Sequence, residues 1–250
     1  MSRWVIKGIR TGIKTTAYPR GMERAAGVTP GLPDGGEFAA EAAALVERCP
    51  TQALSQTNGT ISVDYRRCIH CYRCVRGVAH PLNWQPTYEW GGAGAASLLQ
   101  NALGQPFQRS IHVLVVDAGD CGACLNEVRQ LNNPYYNMHR LGFFITPTPR
   151  HADVMLVVGS VTDHMRAALN RIYDAMPTPK RVVAVGACAL SGGVFAESFV
   201  CAKGVSELLA VDVAVPGNPP PPLAILHGLL VAVGRKSPVA LASTFSEQGR

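Results

Sequence analysis

The stretch Asp117-Ala-Gly-Asp-Cys-Gly-Ala-Cys124 decides the fold, because it joins an apolar run to the start of a helix. The run before it, Ile111-His-Val-Leu-Val-Val-Asp117, is rich in β-branched residues and predicts a buried strand. Two thiols, Cys121 and Cys124, lie in the predicted turn. A Cys-x-x-Cys at such a turn suits a redox dithiol, half of a zinc site or half of an iron–sulfur site. The positions of the other cysteines in the chain distinguish among these three kinds of site.

Strand-like and helix-like segments alternate from Ser110 onward. The predicted strands span residues 111–117, 153–159, 181–186 and 210–215. The predicted helices span residues 125–131, 162–175, 194–209 and 223–233. Apolar, β-branched strands separated by helices are typical of an α/β fold, in which helices cover both faces of a parallel sheet.

Three cysteines follow the carboxyl ends of these predicted strands, which is the edge where parallel sheets bind ligands. Cys121 and Cys124 follow the first strand, and Cys188 follows the third, within Gly186-Ala-Cys-Ala-Leu-Ser-Gly-Gly193. The glycines around Cys188 allow the backbone to lie close to a bulky inorganic group. The prolines at 216–220 predict an extended loop after the fourth strand. We therefore expect a cofactor at this edge.

A second set of cysteines lies in the N-terminal part of the chain. Cys68-Ile-His-Cys71-Tyr-Arg-Cys74 places three thiols at intervals of three residues, and Cys49-Pro50 lies upstream. In bacterial ferredoxins with two clusters, the Cys-Pro of each run ligates the cluster held by the other run. The pattern therefore predicts one [4Fe–4S] cluster, with a zinc site as the less favoured alternative. Its predicted ligands are Cys49, Cys68, Cys71 and Cys74. His70 is expected at the surface, beside the cluster.

The composition indicates a subunit of a complex. The 250 residues are 47% hydrophobic and only 16% charged, with 25 glycines and 18 prolines, which suggests loops held against neighbouring proteins. A monomer with long loops is the alternative. The formal net charge of +6 favours acidic partners or an anionic membrane surface. No basic run with interleaved aromatic residues is present, so the sequence predicts no nucleic-acid partner.

The N-terminal residues predict contact with a surface and not a membrane span. No segment approaches the roughly 20 apolar residues of a span, and residues 1–14 do not have the pattern of a signal peptide. Trp4, Val5, Ile6, Ile9 and Ile13 can form one apolar face of a short helix. That face could lie on a partner, a membrane or its own domain. We expect a cytoplasmic protein, peripheral on the inner face of the membrane.

The C-terminal motifs resemble those of a known family. The resemblance covers about Ser110 to Gly234 and is to the iron–sulfur small subunit of complex-I-like, membrane-bound [NiFe] hydrogenases, including formate hydrogenlyase, and to its counterpart in respiratory complex I. The matching motifs are 117–124, 133–136, 149–153 with 157–161, Gly186-Ala-Cys188 with Gly192-Gly193, and 215–220. The front portion, with Thr11-Gly12, Thr15-Thr16 and Tyr18-Pro19, looks like the polyferredoxin subunit of the same complexes, reduced to one cluster.

The resemblance implies a flavodoxin-like domain that holds a second [4Fe–4S] cluster through Cys121, Cys124 and Cys188. The family places its fourth cysteine between Pro-Gly and Pro-Pro, and this chain has Asn218 there. Cys201 is predicted to lie in a helix, roughly 15–20 Å from Cys188 at ~1.5 Å per residue. The second site is therefore expected to hold three thiolates completed by an amide, water or partner ligand, or to be vacant. Glu127 lies where related hydrogenases place an acid, although an exposed acid in a first helical turn is an equal alternative.

The predicted organisation is a small ferredoxin-like α+β module, residues 1–85, a linker, 86–108, the flavodoxin-like domain, 109–236, and a polar tail, 237–250. The resemblance implies an oxidoreductase subunit that passes electrons between an electron-carrier protein and a large catalytic subunit, alongside membrane subunits. In one hypothesis the large subunit carries a [NiFe] centre. In a second, the assembly is a complex-I-like quinone or ferredoxin oxidoreductase without hydrogenase activity. In a third, the chain is a structural adaptor that has lost its second cluster.

Overall fold

The computed structural model describes residues 2–25, 27–38, 41–94, 110–195 and 198–243. The strands are β1 (Leu32–Pro33), β2 (Gly36–Glu37), β3 (Leu54–Thr57), β4 (Thr60–Asp64), β5 (Trp84–Gln85), β6 (Gly92–Ala93), β7 (Ile111–Asp117), β8 (Phe143–Ile145), β9 (Val154–Val158), β10 (Arg181–Val185), β11 (Val213–Val215) and β12 (Ala242–Ser243). The helices are α1 (Arg3–Thr11), α2 (Ala42–Glu47), α3 (Ala123–Gln130), α4 (Asp163–Ala175), α5 (Ala187–Ser191) and α6 (Pro222–Ala232). Within the described ranges, no helix has both the length and the hydrophobicity needed to cross a bilayer.

The main sheet contains six strands in the order β6-β11-β10-β9-β7-β8. The five strands from β11 to β8 are parallel, and β6 pairs with β11 in the antiparallel sense. Every residue of β9 is buried, as expected for a central strand that is covered on both faces. The α/β fold with a mostly parallel sheet, predicted from the sequence, is confirmed.

Alternating strand residues divide the interior of this domain into two apolar cores. Val113, Leu156 and Val183 pack on one face with α3 and α6, whereas Leu114, Met155 and Val182 pack on the other face with α4. The helix α6 is buried over its whole length. It approaches the sheet closely at Gly228, where an added Cβ would lie 2.2 Å from Val215 Cγ2. A larger residue at this position would push the helix off the sheet.

The front module, residues 27–85, is built on a small antiparallel sheet, which β12 from the C-terminal part of the chain also joins. The strands β12, β4 and β2 follow one another in this sheet, and β3 also pairs with β4. Its core is made of Ala42, Leu45, Leu54, Ile61, Val63 and Leu82. The helix α2 and the hairpin of β3 and β4 therefore form the support from which the cysteine loop extends.

Several polar contacts hold the segments that precede residue 95 against the main domain. Ser191 Oγ donates to the carbonyl of Arg66 at 3.0 Å, and the N–H of Thr16 donates to the carbonyl of Tyr135 at 2.9 Å. The ammonium of Lys236 lies 2.8 Å from the carboxylate of Glu89. Buried His227 accepts a hydrogen bond at Nδ1 from the N–H of Gly91. Burial lowers the pKa of His227 to about 4, so its ring is neutral and able to accept.

Most predicted elements are confirmed, but the helix predicted at residues 194–209 is wrong. Short 3₁₀ turns occupy Gly193–Phe195 and Val205–Glu207, and residues 198–204 are not helical. Gly204 has φ +144°, outside the helical range, and the N–H of Ala202 donates to the carbonyl of Val161 and not to a preceding turn. The apolar spacing of this segment therefore reflects packing beside α4.

The predicted domain boundaries stay predictions. Gly92–Ala93, inside the predicted linker, form the edge strand β6, and Ala242–Ser243, inside the predicted tail, pair with β4. The rest of the predicted linker from residue 95, and the tail from residue 244, lie outside the described residues.

Candidate functional site

The Cys-x-x-Cys turn after β7 is shaped by two aspartates. Oδ1 of Asp117 accepts hydrogen bonds from the N–H groups of Gly119 and Asp120, at 2.9 and 2.7 Å. Oδ2 of Asp120 then accepts from the N–H groups of Gly122 and Leu125, at 2.9 and 3.0 Å. These bonds satisfy backbone donors of the turn and, at Leu125, one donor in the first turn of α3. Cys121 is exposed at the turn, and Cys124 is buried in the first turn of the helix.

Cys188 comes to the same edge of the sheet from β10. Two glycines lie against its thiol and that of Cys124. A Cβ added at Gly186 would lie 2.6 Å from Cys124 Sγ, and one added at Gly193 would lie 2.8 Å from Cys188 Sγ. The backbone therefore forms a cradle that side chains would fill. The expectation that these glycines let the backbone lie close to a bulky inorganic group stays a prediction.

The thiols of this edge are close enough to influence one another electrostatically. Burial raises the pKa of Cys124 above its ordinary value, and negative charge on Asp120, Cys188 and Cys121 raises it further. Burial and charge on Cys121 likewise raise the pKa of Cys188. Such thiols stay protonated at neutral pH unless a cation stabilises their anions, as a metal centre does. Three sulfur donors and a backbone cradle fit an iron–sulfur cluster.

Cys201 is not where the sequence analysis expected it. It is buried but lies outside any helix, in a bridge to Thr162, and its Sγ lies 3.4 Å from the carbonyl oxygen of Phe195. Negative charge on Cys201 contributes to the raised pKa of Cys188. The distance estimated along a helix therefore does not apply, and Cys201 is a neighbour of the Cys188 loop.

Asn218, for which the resemblance implied the position of a fourth ligand, contacts the front module. Its Nδ2 lies 3.4 Å from the carbonyl oxygen of Ile69, and its backbone N–H lies 3.3 Å from Nδ1 of His70. The loop that carries it adjoins the Cys188 loop, since the N–H of Ala187 donates to the carbonyl of Gly217 at 2.8 Å. The structure thus places Asn218 between the two groups of cysteines.

The four front cysteines line one cavity. The other residues that line it include Leu45, Ala53, Leu54, Ile69 and Trp84. Sγ of Cys49 accepts a hydrogen bond from the N–H of Ala53 at 3.2 Å. Burial raises the pKa of Cys68 to about 12, and negative charge on Cys74, Cys49 and Cys71 adds to the rise. Cys71 alone of the four is exposed.

The indole of Trp84 adds a further indication of a cofactor here. Its Nε1 is buried and has no hydrogen-bond partner within the described residues. The indole belongs to the cavity lining. Burial raises the pKa of Cys74 there, and the nearby N–H of Trp84 partly offsets the rise. A buried donor without a partner is rare in folded proteins. A sulfur-rich group held by the four thiols would give it an acceptor, so the front site also fits an iron–sulfur cluster.

Among the residues that the structure describes, no group of three or more His, Cys, Asp and Glu side chains is placed to hold a metal ion. The assignment of the two groups of thiols to iron–sulfur clusters stays a prediction.

His70 is not the surface residue that its place in the motif predicts. Its ring lies between Trp84 and Trp90, with centroids 5.6 and 5.7 Å away, and its φ of +52° turns the chain inward. Burial lowers the pKa of His70 to about 4, which keeps Nδ1 available as an acceptor for Asn218. The signal in the sequence that could have indicated this is the pair of tryptophans that follow the motif.

Glu127 borders an open cavity of about 340 Å³ between the two sites. The cavity is also lined by His70, Tyr72, Tyr136 and Asn218. Glu127 is half-buried, and burial raises the pKa of its carboxyl. It is thus not the fully exposed helix acid of the simpler alternative, and its role stays a prediction.

Comparison with known proteins places this geometry in context. A model of the family described as NADH ubiquinone oxidoreductase, 20 Kd subunit, matches residues 121–232, which include Cys121, Cys124, Cys188, Cys201 and Asn218. An uncharacterized protein of Methanocaldococcus jannaschii is 46% identical over 123 residues, which cover 49% of this chain and 82% of that protein.

Formate hydrogenlyase subunit 7 of Escherichia coli is 37% identical over 136 residues, or 54% of this chain. The match spans about half, 53%, of that subunit. Among solved structures, a chain of the archaeal membrane-bound sulfane sulfur reductase has 27% identity and a TM-score of 0.45, over 50% of this chain and 72% of that one. A chain of a NAD⁺-reducing [NiFe] hydrogenase has 20% identity and a TM-score of 0.43, and the match covers 53% of this chain and 96% of that chain.

Proposed function

This chain belongs to the family of the 20 kDa subunit of NADH ubiquinone oxidoreductase, and we propose that it is an electron-transfer subunit of a complex-I-like oxidoreductase. The observation that carries the proposal is the presence of two separate groups of thiols, one in the front cavity and one at the carboxyl edge of the sheet. The contact between Asn218 and the Ile69–His70 segment joins them. Two adjoining cofactor sites suit a relay better than a single catalytic centre.

In this proposal each side chain has a defined task. Cys49, Cys68, Cys71 and Cys74 hold the front [4Fe–4S] cluster, and Trp84 donates toward its sulfur atoms. Cys121, Cys124 and Cys188 hold the second cluster, with Asn218 or another group at the remaining position. A bound cluster supplies one-electron exchange. The apolar lining from Leu45, Ala53 and Leu54 limits access of water to the front site.

The assembly that we favour is a [NiFe] hydrogenase of the formate hydrogenlyase kind. Its large catalytic subunit would receive or deliver electrons at the second site, membrane subunits would anchor it, and an electron-carrier protein would exchange electrons at the front site. The 37% identity to the Escherichia coli formate hydrogenlyase subunit supports this reading. A complex-I-like quinone or ferredoxin oxidoreductase without a nickel centre uses the same relay and is the alternative.

One contact favours a second candidate function. Asn218 directs its amide toward the Ile69 carbonyl. If the second site has lost its cluster along with its fourth cysteine, the chain acts as an adaptor with one cluster. This adaptor would still hold the front module against the main domain, through the same contact.

Metal analysis of the assembled complex tests the proposal. We expect the chain, co-purified with its large subunit under anaerobic conditions, to contain the iron and acid-labile sulfide of two clusters. Nickel in the same preparation would select the hydrogenase, and its absence would select the alternative oxidoreductase. The iron and sulfide of one cluster would select the adaptor, and the absence of sulfide would contradict all three.

A further inference from the structure

Five arginines surround the front site on the surface of the module. They are Arg48, Arg66, Arg67, Arg73 and Arg76, here called the arginine rim, and all are exposed. Asp64 is the only carboxylate in the sequence from residue 48 to residue 88. The local positive charge is therefore much denser than the overall net charge of +6 would suggest.

Contacts within the module hold the rim around the cysteine loop. The guanidinium of Arg48 donates to the carbonyls of Arg73 and Arg76, at 3.3 and 2.9 Å, and so lies against the segment that follows Cys71. Nη1 of Arg67 lies 3.4 Å from the carbonyl oxygen of Gln52, on the Cys49 side of the site. The rim thus spans both sides of the front cavity.

Most of this charge is not neutralised inside the chain. Arg66 forms a salt bridge with Asp64 at 2.9 Å. Within the described part of the molecule, none of the other four arginines forms a salt bridge with a carboxylate. Unpaired arginines offer planar, multiple donors that suit carboxylates of another protein. A partner protein with carboxylates on its surface would be complementary in charge to these arginines.

The front site reaches the protein surface at Cys71, in the centre of the arginine rim. Cys71 is exposed, whereas the other three front cysteines are half-buried. Tyr72 and Arg73 follow it in the cavity lining, and the guanidinium of Arg76 lies 5.5 Å from the centroid of the Tyr72 ring. An anionic membrane or a nucleic acid could also be attracted by the charge, but neither exchanges electrons with a redox group at that point.

We propose that the arginine rim is the docking surface for an acidic electron-carrier protein, which approaches the front site over Cys71. The inference rests on the proposed electron-transfer function. It adds the class of protein that exchanges electrons with the chain and the side of the front module on which that exchange occurs. Electrostatic attraction of this kind speeds encounter and orients the carrier, and it weakens as salt screens the charges.

Binding of a redox-inactive probe tests this without electron transfer. The probe is a small acidic ferredoxin whose iron is replaced by gallium, labelled with ¹⁵N and titrated with the full chain. We expect Arg73→Glu/Arg76→Glu to weaken binding by about tenfold or more at low ionic strength, because two cations of the rim become anions. Binding to the unaltered chain should weaken as salt is added.

The matched control is Arg150→Glu/Arg171→Glu, which changes the net charge equally. Arg150 lies just before β9 and Arg171 near the end of α4, so both are at the opposite edge of the sheet from the cysteines. We expect this control to bind the probe within about twofold of the unaltered chain. Basic cytochrome c should show the reverse preference and bind the rim variant more tightly.

Three results would overturn the inference. These are equal binding by the rim variant and the unaltered chain, an equal loss in the control variant, and no binding by the unaltered chain at low salt. Iron and sulfide content is measured on the same samples. A chain that binds through the rim but assembles no front cluster would contradict the proposed function and leave the docking surface standing.

Discussion

The backbone N–H of Asn218 lies 3.3 Å from Nδ1 of His70, although 148 residues separate them in the chain. The loop that carries Asn218 is thus directly connected to the loop that carries the front cysteines. In the described residues Nε2 of His70 is buried without a partner, so the contact at Nδ1 is its polar anchor. This connection gives the first prediction.

We expect His70→Ala to lower the free energy of unfolding by about 2–4 kcal/mol, because it leaves the Asn218 N–H without its acceptor and a cavity between Trp84 and Trp90. The midpoint of urea unfolding, followed by far-UV circular dichroism, measures this. His80→Ala is the control, since that ring lies in the same module but is exposed. A change below about 0.5 kcal/mol in both variants would mean that the contact does not stabilise the docked modules.

The front site provides the second prediction. Cys71→Ser should remove the iron and sulfide of one cluster and leave the C-terminal domain folded, because all four predicted ligands lie within residues 49–74. Iron analysis together with circular dichroism measures both effects. Unchanged iron content would show that the ligand assignment of the front site is wrong.

The third prediction concerns the remaining position at the second site. An amide is a weaker ligand for iron than a thiolate, so we expect Asn218→Cys to protect the iron of that site from mild oxidation. Asn218→Ala is the matched control, since both variants lose the contact with the Ile69 carbonyl and only one gains a thiol. EPR of both, in the Cys71→Ser background, separates them. Equal resistance to loss of iron in the Asn218→Cys variant, the Asn218→Ala variant and the protein that retains Asn218 would point to Cys201 or a partner residue as the ligand.

The helix α1 gives the fourth prediction. None of its residues is buried, and Ile9 is 72% exposed beside Lys7 and Arg10. Ile13, predicted to lie on the same helical face, instead follows the end of the helix at Thr11 and is 93% exposed beside Lys14. We expect the full chain to bind phosphatidylglycerol vesicles and to lose this binding in Ile9→Glu, because the apolar face would then carry a charge. High salt should also release it. Equal binding to neutral phosphatidylcholine vesicles would contradict the electrostatic part of the prediction.

The sequence correctly predicted the structural features that depend on local sequence pattern. The β-branched run at Ile111–Asp117 forms β7 with the predicted bounds, and the cysteines after β7 and β10 come together because parallel strands share a carboxyl edge. The spacing of the front cysteines likewise identified the four thiols that line one cavity. These features follow from periodicity and motif spacing, which short windows of sequence contain.

Contacts between distant segments could not be predicted in this way. The helix predicted at 194–209 failed because the backbone at Val200 and Ala202 pairs with residues 161–163 and not with its own preceding turn. The inward position of His70 depends on Trp84, Trp90 and Asn218, which come from two other parts of the fold. Cys201 reached the neighbourhood of Cys188 for the same reason.

The proposed function depends on two separate iron–sulfur clusters for electron transfer in this chain. EPR of the purified chain, reduced stepwise under controlled potential, tests their presence most directly. We expect two signals, of which Cys71→Ser abolishes one and Cys188→Ser the other, while Cys201→Ser abolishes neither. A single signal in the unaltered chain, lost in Cys71→Ser and unaffected by Cys188→Ser, would contradict the two-cluster relay.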